Sequence, residues 1–196
     1  MENTEKLEAG ITIEKAMELV KSRCDFALTR HVFFVATAMR RLAMHLNHEK
    51  DADFWFVCGL LHDIDWNDTI EAPEKHCGEE TMEYLKQNGV SEEVRTTILS
   101  HYTIKGIPLD RDHRKALFAC DELSGFIVAA ALVRPTKLIG IKPESVMKKM
   151  KDKAFARQVN REDMKACEEL FSIPLKEFIS IIIPAFEEIA SDWELS

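Results

Sequence analysis

Apolar residues in this chain recur at three- and four-residue spacing almost from end to end, and no segment alternates convincingly with period two. That periodicity is the signature of amphipathic helices, so the expected fold is all-α: one compact helical bundle spanning residues 1–196. Thr12 can cap a first helix from Ile13 to about Arg23. A long helix follows from about Phe26 to Leu46. Asp51 or Asp53 can cap the next, where Phe54, Val57, Cys58 and Leu61 repeat at helical spacing up to His62 and Asp63. Residues 64–75 read as a loop. Helices are expected from about Cys77 to Gln87, where Asn88-Gly89 is a stop signal, and from a Ser91 cap to about Tyr102. A further long helix runs from Arg111 to about Val133. The C-terminal extension, about 144–196, reads as helices at 144–152, 161–171 with Asn160 as cap, and 175–193, the last kinked or broken at Pro184.

Composition narrows the functional classes. The net charge of −8 argues against a large nucleic-acid footprint, because phosphate neutralisation needs a basic face. Five scattered cysteines, with no CxxC, suit reduced thiols in a cytoplasmic setting and read as core fillers. The start MENTEKLEAG lacks an apolar run, so no signal peptide is expected there. The apolar stretch at Ile181–Ile183 is too short to span a membrane.

The chemistry concentrates around His62-Asp63 at the end of an apolar helix. Adjacent helical residues point about 100° apart. They share a ligand only by converging on an ion near the helix end, and such an ion needs further donors from other helices. His31 and Asp121 are the candidates. Asp121 follows Leu117-Phe118-Ala119-Cys120, where a carboxylate is costly unless paired or metal-bound. His45, His48 and His113 lie in polar stretches and read as solvated.

The order His31, His62-Asp63, Asp121 on successive helices resembles the HD superfamily of metal-dependent phosphohydrolases, over about Cys24–Val133 (the metal-site core being about 24–133). The segment Asp121–Thr136 is also similar to a subgroup of bacterial HD hydrolases. The resemblance implies His31, His62, Asp63 and Asp121 as ligands of one divalent ion. In members with two ions, such as dinucleoside tetraphosphate hydrolases and cyclic dinucleotide phosphodiesterases, histidines placed like His76 and His101 hold the second ion and Asp63 bridges both. The sequence departs from the family in one place: many members carry Gly and Lys two and three residues after the HD aspartate, and here stand Asp65 and Trp66. The GYP motif of the cyclic dinucleotide enzymes is absent as well.

A donor set of imidazole and carboxylate suits Fe, Mn, Co, Ni or Mg, or catalytic Zn. The expected activity is hydrolysis of a phosphate ester or phosphoanhydride of a small nucleotide or related molecule by metal-activated water. Asp65 or Asp68 is expected to orient water or protonate the leaving group, beside Asp63. Lys105, Arg111, Arg114 or Lys115 is expected to hold phosphate oxygens. Two other functions share the pattern: an HD-fold di-iron oxygenase, and a non-catalytic metal-binding sensing or interaction module. The expected partner is a small phosphorylated substrate rather than a nucleic-acid polymer or a membrane, and the C-terminal helices offer a face for a homodimer.

Overall fold

The computed structural model describes residues 5–196, so the first four residues of the MENTEKLEAG start lie outside the described residues. The expected fold class holds: the described residues form helices and connecting turns, with no strand among them. No helix among them is long and apolar enough to cross a membrane. The fold divides between Leu117 and Phe118 into two compact units.

The first unit is organised around α3 (Ala52–Leu61). Nearly every α3 residue is buried, which explains why its apolar residues fill all faces rather than one stripe. It packs against α1 (Ile13–Arg23), α2 (Phe26–His45) and α6 (Glu92–His101). Thr12 caps α1 as expected, accepting from the Lys15 N–H, and Asp25 caps α2 through the Leu28 N–H. Asp51 stands before α3 but caps nothing; its Oδ1 accepts instead from the Leu7 N–H at 2.8 Å. The α2–α3 contact is close because Gly59 lies against Ala36. A Cβ on Gly59 would come within 2.5 Å of the Ala36 Cα.

Residues 64–75 are more ordered than the expected loop. They wind into α4 (Trp66–Thr69) and a 3-10 turn at Pro73–Lys75. Asn67 and Asp68, which read as loop residues, are used as anchors: Asn67 Oδ1 accepts from the Asp25 N–H, and Arg23 pairs with Asp68. The next helix, α5 (Glu79–Gln87), starts two residues later than expected, with Gly78 at its N-cap. Ser91 caps α6 through the Val94 N–H. His113, at the start of α7 (Asp112–Leu132), is buried rather than solvated: its Nε2 lies 2.9 Å from Glu93 Oε1, and its ring meets Phe54 edge-on. Its sequence neighbours are polar because they pair locally, which hides the burial.

The second unit takes in α7 beyond Leu117, with α8 (Pro143–Met150), α9 (Ala166–Phe171) and α10 (Leu175–Ile189), α10 packing on α8 and α9. The expected 161–171 helix is shorter, because residues 163–165 form a 3-10 turn. Asn160 caps only locally, accepting from the Glu162 N–H. Pro184 does not break α10. Pro184 is exposed, and the helix gives way to a 3-10 turn only at Ala190–Trp193. Phe178 and Phe186 are core residues as expected, whereas Phe155 and Phe171 are half-buried.

Candidate metal centre

Four histidines of the first unit meet at one carboxylate. Asp63 follows the end of α3, and its two oxygens face different partners. Oδ2 lies 3.7 Å from His31 Nε2 and 3.5 Å from His62 Nε2. Oδ1 lies 3.4 Å from His76 Nε2 and 3.5 Å from His101 Nε2. The rings pack closely, with centroids 5.3 Å apart for His31–His62 and 5.1 Å for His62–His101.

Each ring is oriented by its other nitrogen. His62 Nδ1 donates to the Gly59 carbonyl at 2.8 Å, and His101 Nδ1 donates to the Ile98 carbonyl. A carbonyl only accepts, so the proton in the neutral ring sits on Nδ1 and the Nε2 lone pair points toward Asp63. His76 Nδ1 donates to Asp65 Oδ1 at 2.7 Å. Asp65 is buried and takes two more donors, the Cys77 N–H at 2.9 Å and the Thr81 hydroxyl at 2.6 Å. Its carboxylate is thus fully occupied in holding His76 and the start of α5. Trp66 and Tyr102 flank the His76 ring edge-on at 5.2 and 5.1 Å and wall it in.

The electrostatics follow the geometry. Burial alone would raise the Asp63 carboxyl, but the surrounding imidazoles of His62, His101, His76 and His31 hold it well below the usual carboxylate range. Burial opposes charge on His76 too, yet the flanking carboxylates of Asp63 and Asp65 push it up to about 12. A site whose imidazole Nε2 atoms surround a carboxylate, each able to offer its lone pair once its proton is displaced, has a donor set that suits a divalent cation. Among the described residues of the first unit, two groups have donor atoms close enough to share an ion: His31 with His62 and Asp63, and His76 with Cys77 and His101.

Cys77 reads in the sequence as a core filler, and the structure adds a place beside the cluster. It is buried, but its Sγ lies 3.4 Å from His76 Nε2, and its backbone has a positive φ of 51° that a cysteine rarely adopts. Adjacency to His76 was the one available signal.

Asp68, Arg114 and Lys115 are engaged in ion pairs outside the cluster. Asp68 is exposed and paired with Arg23. Arg114 is buried and holds two carboxylates, Glu93 Oε1 at 2.7 Å and Asp110 Oδ1 at 3.0 Å. Lys115 donates to Asp112. Lys105 sits near the cluster, its Nζ 5.7 Å from the Tyr102 ring. Asp121 is half-buried on α7 in the second unit.

Residues 28–124 match the family model of the HD domain, an interval that contains His31, His62-Asp63, His76, His101 and Asp121. No curated protein and no solved structure matches the chain. The all-α fold, the His-Asp cluster and this match together identify residues 28–124 as an HD domain.

Proposed function

We propose that the protein is a phosphohydrolase that cleaves a phosphate ester or phosphoanhydride of a small nucleotide or related molecule, using two divalent ions. The observation that carries the reading is the division of Asp63, one oxygen toward His31 and His62 and the other toward His76 and His101. A carboxylate so placed would suit a bridging role between two cations, one held by His31 and His62 and the other by His76 and His101.

Bound there, divalent cations lower the pKa of water and polarise a phosphoryl oxygen. The protein's own groups prepare the site. His62, His76 and His101 offer Nε2 because their Nδ1 protons are committed. Asp65 is a positioning residue rather than a proton donor, since its three donors keep it ionised: burial would raise its pKa, but His76, Thr81 and the Cys77 N–H together lower it. Lys105, beside Tyr102, is the cation best placed to take a substrate phosphate.

The test is elemental mass spectrometry of anaerobically purified protein, joined to a panel of nucleotide phosphoesters. About two transition-metal ions per chain and metal-dependent phosphate release are expected. Two iron ions with turnover only in oxygen would replace hydrolysis by oxygenase chemistry. No ion after reconstitution with Mn or Fe would leave a non-catalytic module.

A further inference from the structure

The second unit carries a charge pattern that the metal centre does not use. Between Met147 and Arg161 six Lys and Arg stand against a single acid, Asp152, in a chain whose net charge is −8. Within this unit Lys151, Lys153, Arg157 and Arg161 line a groove of about 720 Å³, a size that accommodates a small organic ligand. Lys151, Lys153 and Arg157 are exposed and enter no ion pair among the described residues. The remaining lining is mostly apolar, with Met147 and Met150 one turn apart on α8 and Leu175 at the start of α10. Glu168 is the one acid in the wall, and its Oε1 already accepts from the Leu175 N–H at 3.1 Å.

The cations are presented by a fixed turn. The Arg161 guanidinium gathers the carbonyls of Asp152, Phe155, Ala156 and Val159, and it lies over the Phe126 ring. Ala156 has a positive φ of 44° inside this turn. Arg161 therefore shapes the backbone between Lys151 and Arg157 while no carboxylate neutralises it. Its Nε–H is buried with no acceptor among the described residues, a cost that an anion oxygen would remove. A purely solvated basic face would need neither an apolar wall nor a turn ordered around an uncompensated arginine.

We infer that this groove is a binding site for a small phosphorylated anion with an apolar body, a nucleoside polyphosphate being the class that fits. The phosphates meet Lys151, Lys153 and Arg157, and the base lies against Met147, Met150 and Leu175. The site uses none of the candidate metal ligands and stands independently of the phosphohydrolase reading.

The test is calorimetric titration of the full chain, held metal-free with EDTA, with ADP, ATP and inorganic triphosphate. The nucleotides should bind, and more tightly than triphosphate because of the apolar wall. Binding should weaken with salt and fall about tenfold or more in K151A/K153A/R157A. Met150→Ser should weaken the nucleotides and spare triphosphate. Asp63→Asn should leave binding unchanged. Absent binding in the wild type, binding unaffected by the triple substitution, or binding abolished by Asp63→Asn would each overturn the site. Binding confined to RNA oligomers or anionic vesicles, with none to the small anions, would overturn it too. Circular dichroism of the triple variant separates lost binding from lost folding, since all three side chains are exposed.

Discussion

The two halves of the histidine cluster reach the same carboxylate by different means. His31 and His62 are set by helix packing: α2 and α3 touch backbone to backbone at Gly59 and Ala36, and His62 hydrogen-bonds the Gly59 carbonyl itself. His76 lies in the irregular segment before α5 and is held by polar bonds to Asp65, with Cys77 next to it in a left-handed conformation. One half inherits its geometry from the core, the other from a buried carboxylate. Damage to packing should therefore move the first pair, and damage to the polar network the second.

The largest expected effect falls on the residue both halves share. Asp63→Asn should abolish stable metal loading and all hydrolysis with little loss of helix content, measured by elemental analysis, turnover and circular dichroism; a variant that keeps both metal and activity would sink the centre. Gly59→Ala next separates the halves. It should cost about 1–3 kcal/mol of stability by overpacking, read by denaturant unfolding, and weaken loading at His31 and His62 more than at His76 and His101. Asp65→Asn should do the converse, lowering metal affinity about 10- to 100-fold at the His76 position in competition titrations, with near-normal stability. Equal losses at both positions in either variant would erase the contrast. Because His76 is held protonated by its carboxylates, metal loading should also release a proton from it, so affinity should rise with pH, seen as buffer-dependent binding heats.

The smallest effect lies outside the cluster. Burial pushes the His113 imidazole below its ordinary value of 6.5. Glu93 is held below 4.5, burial being outweighed by His113 and Arg114. In both cases the unfolded chain binds the proton more readily, so their contribution is present above those ordinary values and is lost as pH falls below them. Unfolding followed from pH 8 to pH 4 should show stability declining first below about pH 6.5, and His113→Gln should flatten that first part. An unchanged profile in this variant would assign the decline to other groups.

Much of the helical layout was legible because burying one stripe of a helix imposes a period that survives in the sequence. The Thr12 and Ser91 caps and the long α2 and α7 all follow from it. What escaped lay where polar groups are satisfied by distant partners. Asp65 reads as a loop acid, yet its three donors come from residues 76, 77 and 81. His113 reads as solvated because its partner Glu93 lies on another helix. The sequence by itself determined an all-α chain in which His31, His62-Asp63, His101 and Asp121 fall on helices or at their ends, since periodicity and local polarity are properties of neighbours in the chain. Only the tertiary structure decided that the two oxygens of Asp63 face separate histidine pairs, that Asp65 turns inward to hold His76, and that Cys77 brings its sulfur beside them. Those are relations among residues far apart in sequence, fixed by helix packing and by the need to satisfy every buried polar group.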